Sequence, residues 1–356
     1  MNHNEKPKFS GRGSGHNPTN RFEKHSYSDE DTDGIDIPYE EAAKTKFVDV
    51  YPKSIVNKVT SPDVGMDYSL NPYQGCEHGC TYCFARPTHE YWGLSAGLDF
   101  EQVILVKKNA PELLREALDK KSWIPRPIVL SGNTDCYQPA ERTFELTREL
   151  LKVFLEYRNP VGIITKNVLM NRDLDVIEEL GALNLVAVNL SITTLDEELR
   201  RKLEPRTATT KRKLELIENL ANINVPVNVM AAPIIPALND HEILPIAKVA
   251  SERGANSFHS HVVRLMGANE NIFEQWVRHS YPDRAQKVMN QLRSLHGGKT
   301  GSSNFGDRMK GSGVFALNIR RQRELAKRKY FPNPTNYSLR TDLFRRPSGG
   351  QLFLFD

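Results

Sequence analysis

Cys76, Cys80 and Cys83 stand together in the run Asn71-Pro72-Tyr73-Gln74-Gly75-Cys76-Glu77-His78-Gly79-Cys80-Thr81-Tyr82-Cys83-Phe84. A C-x3-C-x2-C spacing on one short loop points to an iron–sulfur cluster held by three thiolates. Four cysteines are the usual full set for a cubane, so a set of three leaves one iron open for a small-molecule ligand. Gly75 and Gly79 allow the tight backbone that turns three sulfurs inward. Tyr82, directly before the last cysteine, is placed to pack beside whatever occupies the open iron. The competing reading is a Cys3His zinc knuckle with His78 or His89 as fourth ligand.

The rest of the chain has the material for a large core. It has 356 residues, 39% of them hydrophobic, and only four cysteines. Three of the four are clustered, which excludes a disulfide scaffold and implies a reducing, cytoplasmic setting. The N-terminus lacks the apolar stretch of a signal peptide, and no apolar run has bilayer length, so no membrane association is expected. Residues 1–46 are rich in Asn, Gly, Ser, Asp, Glu and Lys and read as disordered.

From about residue 47 short apolar strands alternate with helical patterns. Strands are expected at 69–73, 127–131, 161–165, 185–192, 225–231 and 256–263, and a further one at 100–106. Helices are expected near 111–118, 139–157, 174–180, 210–221 and 243–250. Strands each followed by a helix indicate parallel pairing through crossovers. The domain reading is a disordered segment over 1–46, a core over 47–300 and a basic extension over 301–356.

The string NPYQGCEHGCTYCFAR resembles the cluster-binding signature of the radical S-adenosylmethionine (SAM) superfamily, in the branch that includes spore photoproduct lyase and DNA-repair-photolyase-like proteins. The resemblance extends over roughly residues 47–300. It implies an α/β fold, an open partial (β/α)6 TIM-type barrel, with functional residues at the carboxyl ends of the strands. It also implies a 4Fe–4S cluster on Cys76, Cys80 and Cys83 whose open iron chelates SAM. One-electron cleavage of SAM would then give a 5′-deoxyadenosyl radical that abstracts hydrogen from the substrate, with a cytoplasmic electron donor as partner. Repair-like action on nucleic acid is the first functional reading. Modification of a protein or small molecule is the second, and a non-catalytic structural metal module the third.

Candidate site residues follow from the strand ends. Asn133 and Thr134 after the second barrel strand match the family's contacts to the methionyl end of SAM, beside Tyr82. Lys166 after the third strand matches a Thr-Lys pair that would meet the SAM carboxylate as a point charge. Ser191 and Thr193, two apart on the fourth, project to one face and resemble ribose contacts. Arg206 suits bidentate carboxylate binding or an ion pair with Glu204. Cys136 lies four residues beyond the slot where spore photoproduct lyase carries its hydrogen-atom donor, so that role is displaced here, and a small buried thiol is the alternative. His259 and His261 share a face of the last strand, turned either to the lumen or to the flanking helices. His89, Glu90 and Trp92 are placed to shape the wall of the cysteine loop.

Two further features concern partners. Residues 308–346 carry a dense run of arginines and lysines that suits phosphate contact or a solvated helix face. The terminal Gln351, Leu352, Leu354 and Phe355 resemble the peptide that docks repair and replication proteins on the sliding clamp.

Overall fold

The computed structural model describes residues 11–22, 44–333 and 337–347. In chain order the strands are β1 (Lys46–Val50), β2 (Asn57–Lys58), β3 (Tyr68–Leu70), β4 (Tyr73–Gln74) and β5 (Val103–Lys107), then β6 (Ile128–Leu130), β7 (Val161–Thr165), β8 (Val186–Ser191), β9 (Val227–Ile234) and β10 (Ser257–Val262). The helices are α1 (Leu98–Gln102), α2 (Ala110–Asp119), α3 (Glu141–Phe144), α4 (Leu146–Tyr157) and α5 (Leu174–Ala182), then α6 (Glu197–Leu203), α7 (Thr210–Asn222), α8 (Ile243–Glu252), α9 (Ala268–Ser280), α10 (Pro282–Leu295) and α11 (Gly313–Tyr330).

The large sheet runs β10-β9-β8-β7-β6-β3-β2. All of its pairs from β3 to β10 are parallel, and only β2 joins antiparallel. The first and last parallel strands do not pair, so the barrel stays open at β10, as the six-unit reading requires. Val186, Val188, Leu190, Val227 and Val229 are fully buried against Leu216, Ile217 and Leu220 of α7 and Ile246 of α8. Each such side chain stabilises the fold by roughly 1.5–3 kcal/mol relative to exposure. The intervening residues Asn189, Asn228 and His259 are less buried and face the other way, into the lumen.

Local chemistry explains the element ends. Asp196 caps α6 by accepting the backbone N–H of Glu198 at 2.8 Å and of Leu199 at 3.2 Å. The helix expected at 139–157 is broken at Glu145, whose φ is +52°. The break follows from Glu141, whose buried carboxylate accepts the Thr147 N–H at 3.0 and 3.1 Å and turns the chain between α3 and α4. The strand expected at 100–106 begins instead as helix α1 and becomes β5 only from Val103. There it joins a separate sheet of order β1-β5-β4 rather than the barrel. Residues 69–73 likewise divide, β3 staying in the barrel and Tyr73 crossing to pair with Val106.

Composition misreads residues 11–22. They lie inside the segment expected to be disordered, yet Ser14 and Asn20 are buried. The reason is side-chain and backbone polarity rather than apolar area: Gly13 N and Ser14 N donate to the two oxygens of Glu101 at 2.9 and 2.8 Å. Asn20 donates to the carbonyls of Glu90 and Leu94.

The basic extension is also folded onto the core. α11 packs on α8 and β10, and Phe331 just beyond it stacks on Phe258 with ring centroids 6.1 Å apart. Several of its arginines have structural partners. Arg308 pairs with Asp63 at 2.5 Å, and Arg346 donates to the carbonyls of Leu118 and Lys120 at the end of α2. The apparent clamp peptide, Gln351 to Phe355, lies outside the described residues. Among the described residues no helix is long and apolar enough to cross a membrane.

Candidate active site

The cysteine loop follows β4 and is held from several sides. Cys76 N donates to Phe100 O at 2.8 Å, while Gln138 accepts Glu77 N at 3.0 Å and donates to Gly75 O at 3.1 Å. Asn269 of α9 donates to Cys83 O at 2.5 Å. Gly79 has φ +67°, and a Cβ there would stand 2.8 Å from Glu101 Oε2 and 3.1 Å from Gly13 N. No side chain fits at that turn.

Beneath the loop lies a buried ion pair. Arg86 and Glu101 meet at 2.5 Å with neither side chain exposed, and Arg86 Nε donates to Cys80 O at 2.9 Å. The amides of Gly13 and Ser14 complete the Glu101 carboxylate. Residues 11–22 are thereby tied through one carboxylate and one guanidinium to the backbone of the second cysteine.

On the other side the loop meets the run Leu203-Glu204-Pro205-Arg206. Thr81 N donates to Leu203 O and Arg206 N to His78 O. Glu204, wholly buried, is the hub of the strand ends. It accepts the hydroxyls of Tyr82 and Thr193, the latter at 2.6 Å. Lys166 Nζ stands 3.3 Å from its Oε1, and Lys213 Nζ 3.5 Å from its Oε2. Burial would raise the Glu204 carboxyl, but Lys166 and Lys213 hold it well below the usual range. Burial works against the Lys166 ammonium too, and Glu204 with Cys80 outweighs it, so its pKa rises. One carboxylate thus holds two ammonium groups, Lys213 fully buried and Lys166 partly so.

The sequence-derived candidates separate into groups. Tyr82, Lys166 and Thr193 converge on Glu204, and Ser191 is buried at the end of β8. The Lys166 ammonium is not held free for a ligand carboxylate: it also donates to Thr193 Oγ1 at 3.4 Å and Ala232 O at 3.2 Å. Thr134 hydroxyl donates to Tyr73 O at 2.7 Å, and Asn133 reaches Thr88 Oγ1 at 3.3 Å. Both backbone amides, Asn133 N and Thr134 N, donate to Asn71 Oδ1, which fixes this turn beside the cysteine loop. Arg206 pairs at 3.3 Å with Glu77, not with Glu204. Glu204 is unavailable because two lysines already saturate it.

Cys136 stands apart. It is fully buried in the main core, its backbone N–H on Ser131 Oγ and its carbonyl on Thr147 Oγ1, both at 2.7 Å. Burial pushes its thiol well up. A donor of hydrogen atoms must reach substrate, and this sulfur is in the core, so the structure supports the small buried thiol instead.

His78 is also committed, its Nδ1 3.4 Å from Asp135 and its Nε2 3.0 Å from Asn167. His89 packs its edge on Phe100 at 5.5 Å, Glu90 pairs with Arg21 at 3.0 Å, and Trp92 is exposed. Sequence reasoning met Glu204 only as an alternative partner for Arg206 and passed over Lys213 and Asp135, whose partners lie far off in the chain. The one available signal was an acid directly before the Pro205 turn.

The donor set suits a multi-iron cluster better than one ion. Cys76, Cys80 and Cys83 are free thiols on one loop. Among the described residues no three His, Cys, Asp or Glu side chains group as ligands of a single metal ion. Three thiolates on one loop leave one of a cubane's four irons open. Burial raises all three thiols; at Cys80 Glu204 adds to this and Lys166 opposes it, while at Cys83 Arg86 and then Lys166 oppose it. Thiolates there are thus favoured only with compensating positive charge, which a cluster's irons provide.

An open parallel half-barrel with three thiols at its carboxyl rim defines a class of enzyme. The sequence model described as "Radical SAM superfamily" matches residues 70–250, and the chain belongs to that superfamily. It is a radical SAM enzyme, with a 4Fe–4S cluster and SAM as cofactors. It is 35% identical over 256 residues to an uncharacterized protein of Mycobacterium tuberculosis, covering 70% of this chain and 73% of that one. A protein of Methanocaldococcus jannaschii is 26% identical over 249 residues, covering 70% and 89%. Among solved structures, spore photoproduct lyase complexed with dinucleoside spore photoproduct is similar in fold, with a TM-score of 0.60, 13% identity and 80% of each chain covered.

Proposed function

We propose that this enzyme acts on nucleic acid, and one observation carries the reading. Phe84, directly after Cys83, is 54% exposed, and the guanidinium of Arg264 lies 5.7 Å from its ring centroid. Arg308, held by Asp63, covers the exposed Phe305 in the same way at 4.5 Å, and Arg264 lies close enough to feel the charges of both Arg308 and Asp63. Exposed rings interleaved with guanidinium groups are a stacking platform for bases flanked by phosphate contacts. This one sits at the rim of the cysteine loop. The basic face of α11 extends it, because Arg323 and Lys327 act on His259 and His261 at the open edge of the barrel.

The roles of the site residues follow. When bound, the cluster and SAM supply one-electron cleavage that opens hydrogen-atom abstraction. Cys76, Cys80 and Cys83 would hold the cluster. Lys166, fixed by Glu204, offsets part of the negative charge on the Cys80 side, and Lys213 holds the far oxygen of Glu204. Tyr82 and Thr193 orient that carboxylate. Ser191 and Asn133 offer polar atoms to SAM, and Thr134 and Arg206 act by holding the turn and the loop in place. The fold resemblance to a lyase solved with a dinucleoside photoproduct supports the same substrate class.

The test is 5′-deoxyadenosine formation by the reduced, iron-loaded protein with and without single-stranded and duplex DNA and RNA. Nucleic acid should change the rate, and binding should weaken steeply with salt. Formation indifferent to all four, with no salt-sensitive binding, would turn the reading to a protein or small molecule.

A further inference from the structure

The lumen face of β8, β9 and β10 carries a hydrogen-bonded row with a fixed direction. Asn189 and Asn228 are register partners, as are Asn228 and Ser257. Asn228 Nδ2 donates to Asn189 Oδ1 at 2.8 Å. Asn228 Oδ1 accepts the Ser257 hydroxyl at 2.9 Å and meets His259 Nδ1 at 2.9 Å. An amide that donates through its nitrogen to Asn189 turns its oxygen to the imidazole, so Nδ1 carries the proton and Nε2 is left as an acceptor. Asn189 in turn keeps its amide N–H groups as donors.

This row is not core packing. Val188, Val229 and Phe258, its chain neighbours, are buried on the helix side, whereas His259 is exposed and Asn189 and Asn228 are half-buried. Asn189, Asn228 and Ser257 lie one lumen-facing position below Ser191, and His259 is level with it, since Ser191 pairs in register with Met230 and Met230 with His259. Although part of the ring meets solvent, partial desolvation by the barrel wall, then Lys327 and Arg323, depress the His259 pKa and favour the neutral ring. The row therefore offers an acceptor and donors in set order on the wall of the open barrel, beside a basic, aromatic rim.

Resting on the nucleic-acid reading above, we infer that Asn189, Asn228 and His259 form the wall that reads the edge of a nucleobase entering the lumen. His259 Nε2 accepts from an amino or ring N–H of the base, and the Asn189 amide donates to a carbonyl or ring nitrogen. Asn228 is the positioning residue that fixes the imidazole tautomer. Amide and imidazole groups read unstacked bases in this manner.

The probe is a set of four single-stranded oligonucleotides, each with one central base flanked by abasic sites. Binding is followed by fluorescence anisotropy on the anaerobic, iron-loaded full chain with SAM present. The wild type should separate the best from the worst base by roughly tenfold, the discrimination expected of a good donor–acceptor pair. His259→Phe and Asn228→Leu should compress that span to about twofold while leaving the weakest oligonucleotide's affinity unchanged, because the basic rim is intact. His259→Gln, whose amide oxygen still accepts, should restore part of the span and guards against a folding defect in the first two. Iron content equal to wild type certifies each variant. A wild-type span that survives in both variants, or a wild type that binds all four alike, overturns the wall and leaves the nucleic-acid reading standing. Failure to bind any of the four even at low salt overturns both.

Discussion

Lys166 Nζ stands 3.3 Å from Glu204 Oε1, joining the carboxyl end of β7 to the turn that follows α6. Lys213 approaches the other oxygen of the same unexposed carboxylate. Glu204→Gln keeps the volume but leaves the buried Lys213 and the partly buried Lys166 ammonium groups without their counter-charge. Breaking a buried pair in this way costs about 3–5 kcal/mol. Lys213→Met should cost less, because Lys166 still neutralises Glu204. Chemical denaturation of the anaerobic proteins measures both, and an unchanged midpoint for Glu204→Gln would contradict the hub.

The N-terminal strap gives a second test. A Cβ on Gly13 would stand 1.6 Å from Gly79 O, so Gly13→Ala cannot seat residues 11–22 on the cysteine loop. Hydrogen exchange should show the amides of residues 13 and 14 protected in wild type and rapid in the variant. Equal protection in both would place the strap elsewhere.

Acid sensitivity should come in part from buried imidazoles. Burial lowers the His89 pKa to about 4 and that of His261 to about 4, against an ordinary value of 6.5. Between those limits the unfolded chain binds more protons than the folded one, so stability falls as pH drops from 6.5 toward 4 and is level above. His89→Leu should flatten that slope. The check is the denaturation midpoint at several pH values, and an identical slope in the variant would refute the contribution of His89.

The fold was largely legible because its signal is local. Apolar strands followed by helices marked each parallel unit. What the sequence could not carry was pairing between distant polar groups. Glu204 looks like a surface acid until Lys166 and Lys213 are brought to it, and residues 11–22 look disordered until Glu101 takes up their amides. The broken helix at Glu145 has the same origin, a buried carboxylate turned onto backbone donors. For His259 and His261, alternation left both faces open. The buried Phe258–Phe331 stack settles it by assigning the even-numbered residues to the helix side.

The cysteine set offers a fourth test. Cys76→Ala, Cys80→Ala and Cys83→Ala should each lose the iron chromophore after anaerobic reconstitution, whereas Cys136→Ala should retain it. The core cavity left at residue 136 is small, so its cost should appear as a modest fall in stability rather than in iron content. Iron loss in Cys136→Ala would instead make that thiol a ligand and overturn the three-cysteine assignment.

The account is tested most directly by mass spectrometry of 5′-deoxyadenosine after reduction of the reconstituted protein with SAM. The wild type should bind about four irons and form the nucleoside, and each of the three cysteine variants should form none. A fully iron-loaded wild type that leaves SAM intact, or a cysteine variant that cleaves it at the wild-type rate, would contradict the assignment of this loop as the SAM-cleaving centre.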